Sequence, residues 1–166
     1  MNAPLKVWQQ DRRSLAMKAT PAGVLVLIPR HLAADSPQVQ AFIRAGLARL
    51  QPPDAVPAAE RLDQDGLRAL VDAWAERLGV AVGRVQFRRM RAKWGSMSTR
   101  GTLTLADDLA RLPRRLAEYV VCHELLHLQV PAHNGAYRLL LRRYMPDWEE
   151  RERELGRWVL ALCTGE

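Results

Sequence analysis

Three of the four histidines of this chain fall within eleven residues, His123, His127 and His133, and the first two belong to the run HELLH at residues 123–127. Residues four apart share one face of an α-helix, with Cβ atoms about 5–6 Å apart. Two imidazoles at this spacing can converge on one metal ion. Glu124 lies about 100° round the helix from His123, so it can reach a water instead of the ion. This HExxH arrangement is typical of metal-assisted hydrolysis.

A catalytic zinc needs a third protein ligand and a position left open for water. We expect His133 to be that ligand, although a continuous helix would rotate it about 120° away from His127. Pro131 removes this difficulty, because proline cannot continue the helix and pushes Val130 out of the helical region. The helix should therefore stop at or before Val130, and the turn that follows can swing His133 back. The competing third donor is a downstream carboxylate, from Glu149, Glu150 or Glu152.

The histidine set predicts one zinc ion per chain, which acidifies a water and polarises a carbonyl. Glu124 is the expected general base, and it would return the proton to the leaving amine. Tyr137 and Arg100 are the candidates for stabilising the oxyanion, and each can equally be structural. Trp94 either lines the cleft or lies in the core. The strand at residues 101–105 could pair with an extended peptide substrate.

The composition is that of a globular protein, with 48% hydrophobic and 26% charged residues in a chain of 166. This length suits a single domain over residues 1–166, with residues 1–52 as a possible subdomain. No apolar run approaches the roughly 20 residues that would span a membrane. The N-terminus does not resemble a signal peptide, and Cys122 and Cys163 are too few for a disulfide framework. We expect a cytoplasmic protein with a reduced, buried Cys122 and no membrane contact.

The net charge of +7 is unevenly spread, because residues 77–106 contain seven basic side chains and no acidic one. A solvated basic strand edge, which discourages edge pairing, is one interpretation. An anionic ligand or a nucleic acid as partner is the other. Two alternative functions follow: a metal-dependent hydrolase of nucleotides or other phosphoanhydrides, and a nucleic-acid-associated protein. Against the first, the chain has no Gly-rich phosphate loop and no carboxylate cluster suited to magnesium.

The pattern of apolar residues and turns predicts a mixed fold. A β-hairpin is expected at residues 14–28, and Ser36-Pro37 should open a helix, with serine as N-cap. A Pro-rich connector follows at residues 52–57. His31, just after the hairpin, is expected at the surface. Further helices are predicted at residues 64–78, from Pro113, at 134–144 and at 147–161, with strands at 85–87 and 101–105 around a loop at 92–98.

Several segments together resemble the YgjP-like zinc metallopeptidases, distant relatives of SprT-like proteases. Lys93-Trp94-Gly95-Ser96 is similar to the WGS signature of that family, and residues 101–105 are similar to the strand after it. Residues 119–128 resemble its metal helix. Residues 133–137 and 145–148 resemble its third-ligand and closing segments, and even the hairpin ending at residues 26–31 fits. Three positions depart from the usual family pattern, namely Met97, Ala132 and Arg138.

This resemblance implies a small single-domain α+β fold of the zincin type. In such a fold an N-terminal β-hairpin and a short antiparallel sheet would pack on the HExxH helix. It also implies a zinc metallopeptidase that acts on peptides or proteins. Its relation to SprT-like proteases suggests, as the alternative, a protease associated with nucleic acid. Val130 occupies the position where metzincins, another HExxH class, require glycine, so that class fits less well.

Overall fold

The structure is a computed structural model that describes residues 5–20, 22–49 and 60–164. The chain divides into two compact units, one comprising Met1–Asp54 and Leu155–Glu166, the other Ala55–Glu154. The predicted connector at residues 52–57 lies outside the described residues, as does Pro21 within the predicted hairpin segment. The single domain over residues 1–166 stays a prediction.

The first unit contains a three-stranded sheet and helix α1, Pro37–Arg49. Strand β2, Ala16–Thr20, and strand β3, Gly23–Pro29, form the predicted antiparallel hairpin. Strand β1, Leu5–Gln10, was not predicted, and it pairs in parallel with β3. The order β1-β3-β2 puts β3 in the centre of the sheet, which explains why nearly all of its residues are buried. His31 lies exposed in the turn after β3, as expected.

Helix α1 begins where the sequence predicted, but its first turn is built differently. Val39 and Ile43 are buried, in agreement with the expected apolar stripe. The Ser36 hydroxyl, expected to cap the helix, has no hydrogen-bond partner among the described residues. The Ser36 carbonyl accepts the first helical hydrogen bond, of 3.0 Å, from the amide of Gln40. Ser36 therefore occupies the predicted N-cap position and proline the first helical position, but the serine side chain makes no capping bond.

The second unit carries the remaining elements: α2 (Gln64–Leu78), β4 (Arg84–Arg88), β5 (Gly95–Met97), β6 (Thr102–Ala106), a short 3-10 helix (Asp107–Arg111), α3 (Arg114–Leu126), α4 (Gly135–Tyr144) and the start of α5 (Trp148–Thr164). The α+β class is confirmed. The sheet order is β4-β6-β5. Because β4 pairs with β6 in parallel and only β5 is antiparallel to β6, the sheet is mixed and not wholly antiparallel as predicted. Strand β5 lies inside the segment predicted as a loop.

Helix α2 has the bounds that its sequence predicted, because both ends carry explicit signals. The Asp63 carboxylate accepts a hydrogen bond of 2.8 Å from the amide of Gly66. Gly79 closes the helix in the left-handed conformation, at φ 66°, where a side chain would be strained. The predicted apolar stripe is buried throughout, namely Leu67, Leu70, Val71, Trp74 and Leu78.

Helix α3 is the central element of the second unit and contacts α2, α4 and β5. Val121 and Leu125 on one face of the helix are fully buried, whereas Leu128, beyond its end, is only half-buried. Cys122 is a buried free thiol, as expected. This packing fixes the helix, and with it the direction in which its histidines point. Within the described residues, no helix combines the length and the apolar character that a membrane crossing requires.

Candidate metal centre

The break after α3 is what brings the third histidine within reach of the first two. Pro113 immediately precedes the helix, and its carbonyl accepts a hydrogen bond of 2.9 Å from the amide of Leu116. The helix ends at Leu126. The last backbone amide that donates a hydrogen bond to a helix residue is that of Val130, which lies 2.9 Å from the Leu126 carbonyl. The predicted stop at or before Val130 is therefore confirmed. The next helix starts at Gly135, so the intervening turn is short.

The three histidines form one compact group. The Nε2 atoms of His123 and His133 are 2.9 Å apart. One ring nitrogen from each residue can be chosen such that all three nitrogens lie within 4.8 Å of one another. The ring centroid of His127 lies 5.3 Å from that of His123 and 4.5 Å from that of His133. Ring nitrogens this close together can share a single ion, because each would need to approach it to only about 2.0–2.1 Å.

The surroundings of the rings suit metal ligation. The Nδ1 atom of His127 lies 3.3 Å from the Val130 carbonyl, an arrangement that leaves Nε2 as the donor toward an ion. Burial, followed by the charges of His133 and His127, lowers the pKa of His123 to about 3. His123 is therefore neutral at ordinary pH, and neutral imidazole is the form that binds a metal. His133 is exposed, whereas the other two rings are half-buried. Three clustered imidazoles, one of them exposed to solvent, fit a catalytic metal ion, which needs three protein ligands and one open position.

Glu124 is held beside this group by a strand that the sequence had placed in a loop. Its Oε2 atom accepts a hydrogen bond of 3.0 Å from the backbone amide of Met97 in β5. Gly95, in the same strand, lies so close that a Cβ atom there would be 2.7 Å from the Cγ atom of Glu124. Sequence reasoning missed both contacts. The glycine of the Trp94-Gly95-Ser96 motif was the available signal, because glycine in a strand often marks a close approach.

The environment of Glu124 makes it a better proton acceptor than an exposed carboxylate. Burial raises its pKa above the ordinary value. The neighbouring His127, the Met97 amide and the Lys93 ammonium oppose that rise, because each stabilises the carboxylate form. A base works best when its pKa lies near the working pH, which is well above the value for a solvated glutamate.

The three residues expected to contact the substrate, Trp94, Arg100 and Tyr137, lie in positions that favour this role less than the sequence suggested. Trp94 is only 7% exposed, which favours the core position over the cleft-lining one. Arg100 lies exposed in the turn before β6, and within the described residues no hydrogen bond or ring contact joins it to the histidines. Tyr137 is 2% exposed, and its hydroxyl donates a hydrogen bond of 2.9 Å to the His123 carbonyl. Because the hydroxyl is engaged in this bond, the structure does not favour Tyr137 as the group that stabilises the oxyanion.

The downstream glutamates have other partners. Glu149 forms an exposed ion pair with Arg142 at 3.1 Å. Glu152 lies near Tyr119, where its charge adds to the effect of burial in raising the pKa of the Tyr119 hydroxyl. Within the described part of the chain, the one group of side chains close enough to hold a metal consists of the three histidines. The geometry therefore favours His133 over a carboxylate as third ligand.

Comparison with known proteins identifies a matching family and two similar solved structures. A family model described as YgjP-like, metallopeptidase domain, matches residues 58–157. Among solved structures, the chain is similar to the metallopeptidase zymogen abylysin of Pyrococcus abyssi, with 24% identity, 54% of this chain and 87% of that chain covered, and a TM-score of 0.47. It is also similar to the metallopeptidase zymogen jannalysin of Methanocaldococcus jannaschii, with 22% identity and a TM-score of 0.47. The match covers 52% of this chain and 89% of that chain. A search of the curated proteins finds no match.

The family match covers more than half of the chain, and it includes the sheet beside Glu124 and all three histidines. The family implies a metal ion and a peptide or protein substrate, and the three clustered histidines provide the place for such an ion. The chain is therefore a hydrolase that belongs to the YgjP-like metallopeptidase family.

Proposed function

We propose that the chain is a zinc-dependent peptidase in which His123, His127 and His133 bind the ion and Glu124 is the general base. The observation that carries this proposal is the group of three ring nitrogens, all within 4.8 Å of one another, next to the Glu124 carboxylate that the Met97 amide holds. Zinc is favoured over harder ions because the ligand set is entirely imidazole. The proposed site lies wholly within the unit of residues 55–154.

The residues of the chain have separate tasks in this proposal. Zinc, when bound, would supply a Lewis acid that polarises the scissile carbonyl and acidifies a water. Glu124 takes the proton of the attacking water and gives it to the leaving amine. The Met97 amide engages Oε2 of Glu124, so the other carboxylate oxygen, Oε1, is the one available for that transfer. A carboxylate fixed in this way needs little reorganisation before the reaction.

The prediction that residues 101–105 pair with the substrate needs correction. Residues 101–105 fall largely in β6, which is the central strand, so both of its edges are already occupied. The edge beside Glu124 belongs to β5. The Trp94 carbonyl accepts a hydrogen bond from the Ala106 amide, and the Ser98 amide donates one to the Thr102 carbonyl. The alternate residues Gly95 and Met97 therefore direct their backbone groups to the other side, where Glu124 already accepts from the Met97 amide. An extended peptide added at this edge would lie next to the general base.

A hydrolysis assay with Glu124→Gln tests the proposal. The zinc-loaded protein should cleave casein or short peptides, lose that activity to a chelator and recover it with Zn²⁺. Glu124→Gln should keep its zinc and lose hydrolysis by about 10²- to 10⁴-fold, the usual contribution of a general base. The matched control is Glu76→Gln, the same change at an exposed residue of α2. Undiminished turnover in Glu124→Gln would show that another group is the base.

The same assay decides between the proposal and the phosphoanhydride alternative when nucleoside triphosphates are added to the substrate panel. Cleavage of the triphosphates alone would replace the peptidase proposal. The basic segment carries no argument for a nucleic acid. Arg84 and Arg88 lie exposed at the two ends of the edge strand β4, where a solvated basic edge was the simpler interpretation. Arg77 lies over the Trp74 ring instead, with its guanidinium carbon 4.6 Å from the ring centroid.

A further inference from the structure

The ring of Tyr137 touches all three histidines of the candidate metal centre. It stacks on His127, with the centroids 5.0 Å apart and the planes inclined at 22°. Its centroid lies 5.3 Å from that of His123 and 4.7 Å from that of His133, and both of these contacts are edge-on. Tyr137 is 2% exposed, so the ring fills the space behind the imidazoles. A side chain in this position limits the rotation of each imidazole.

The hydroxyl of Tyr137 ties the ring to the metal helix. It donates a hydrogen bond of 2.9 Å to the backbone carbonyl of His123, in the last turn of α3. The phenol is therefore fixed at both ends, by its backbone in α4 and by this bond to α3. A leucine or a phenylalanine at this position could not make the same connection, because neither has a donor at the end of its side chain.

The local sequence explains why this tyrosine arrives at the site together with the third histidine. The side chain of Asn134 caps α4 by accepting a hydrogen bond of 3.0 Å from the amide of Tyr137. The cap fixes His133 just before the helix and Tyr137 in its first turn. One short segment therefore delivers both a ligand and the ring that contacts it, and no separate element has to be positioned.

We propose that Tyr137 is a positioning residue of the metal centre, whose ring and hydroxyl hold the three imidazoles in the geometry that binds the ion. This inference rests on the proposed function, because it assumes that the histidines bind the metal. Partners that orient metal ligands typically contribute 10- to 100-fold to metal affinity. Tyr137 therefore differs from an ordinary core residue, whose loss lowers stability without changing the metal centre.

The test is a comparison of Zn²⁺ affinity, measured by competition with a chromophoric chelator, in the full-length protein and four variants. Tyr137→Leu removes the ring and the hydroxyl, whereas Tyr137→Phe removes only the hydroxyl. Leu141→Ala is the matched core control, because Leu141 is 1% exposed and lies one turn further along α4. Tyr144→Phe is the matched loss of a hydroxyl on the same helix. The visible spectrum of the Co²⁺-substituted protein reports the ligand geometry independently of activity.

Tyr137→Leu should bind Zn²⁺ about 10- to 100-fold more weakly than the unmodified protein and should show an altered Co²⁺ spectrum. Tyr137→Phe should show a smaller loss. Leu141→Ala should lower the melting temperature and leave the affinity unchanged, and Tyr144→Phe should alter neither. Unchanged affinity in Tyr137→Leu overturns the proposal. If that variant does not fold, unchanged affinity in Tyr137→Phe overturns it. An unmodified protein that takes up no Zn²⁺ contradicts the proposed function itself.

Discussion

The carboxylate of Glu124 accepts a hydrogen bond of 3.0 Å from the backbone amide of Met97, a residue 27 positions earlier in the chain. This bond joins the metal helix α3 to the edge strand β5. It fixes one carboxylate oxygen and leaves the other for chemistry.

Gly95→Ala should impair catalysis without removing the metal. The added methyl group would lie 2.7 Å from the Cγ atom of Glu124 and 3.2 Å from its Cδ and Oε1 atoms. Either the carboxylate or the strand must then shift, and a displacement of about 1 Å can cost roughly 10²-fold in rate. Steady-state kinetics and zinc content measure the two effects. Gly135→Ala is the control, because nothing lies within 4 Å of its added Cβ atom. Full activity in Gly95→Ala would mean that this contact does not hold the base.

His133→Ala should release the metal, whereas Glu152→Gln should not. His133 Nε2 lies 2.9 Å from His123 Nε2, while Glu152 is not among the side chains grouped closely enough to hold the ion. Loss of a direct ligand should weaken zinc binding by more than the roughly 10- to 100-fold seen for outer partners. Zinc content after dialysis against a chelator measures this. Zinc retained by His133→Ala and lost by Glu152→Gln would assign the third ligand to the glutamate.

Asn134→Ala should weaken both the fold and the metal centre. Its side chain caps α4, and loss of such a cap typically costs about 0.5–2 kcal/mol of stability. Asp63→Ala removes the equivalent cap from α2 and is the matched control. Both variants should unfold at lower denaturant concentration, but only Asn134→Ala should bind Zn²⁺ more weakly, because only that cap adjoins a ligand. Equal zinc affinity in the two variants would contradict the link between the cap and His133.

Arg151→Lys should destabilise the protein although the charge is kept. The guanidinium of Arg151 bonds to Asp147 at 2.9 Å, to Glu118 at 3.1 Å and to the Arg115 carbonyl at 2.8 Å. An ammonium group cannot reproduce this planar set of donors. Bonds to charged groups are worth about 1.5–3 kcal/mol each, so a loss of about 1–3 kcal/mol is expected.

Urea unfolding of Arg151→Lys measures that loss, and Arg142→Lys is the control. Arg142 pairs with Glu149, and both side chains are more than half exposed. An exposed pair of this kind is worth at most about 1 kcal/mol. A stability of Arg151→Lys equal to that of Arg142→Lys would show that the three bonds of Arg151 contribute no more than an ordinary surface pair.

Some features of the site were predictable because they depend on short-range geometry. The four-residue spacing of His123 and His127 puts them on one helical face, and Pro131 ends that helix, whatever the rest of the chain does. Helix α2 was equally predictable, because Asp63 and Gly79 mark its ends. These signals act within a few residues, so the sequence by itself determined the metal-binding pattern, the helix break and the family resemblance.

The contacts that complete the site come from residues distant in the chain, and only the tertiary structure decided them. Residues 95–97 have no strand-like pattern and become β5 because β6 provides a partner, just as β1 depends on β3. The bond from Met97 to Glu124 then follows from the register of that pairing. Tyr137 looked like a substrate residue until packing placed it behind the three histidines. Spacing along a helix is fixed by its backbone geometry, but the neighbours of a side chain depend on how the whole sheet and its helices pack.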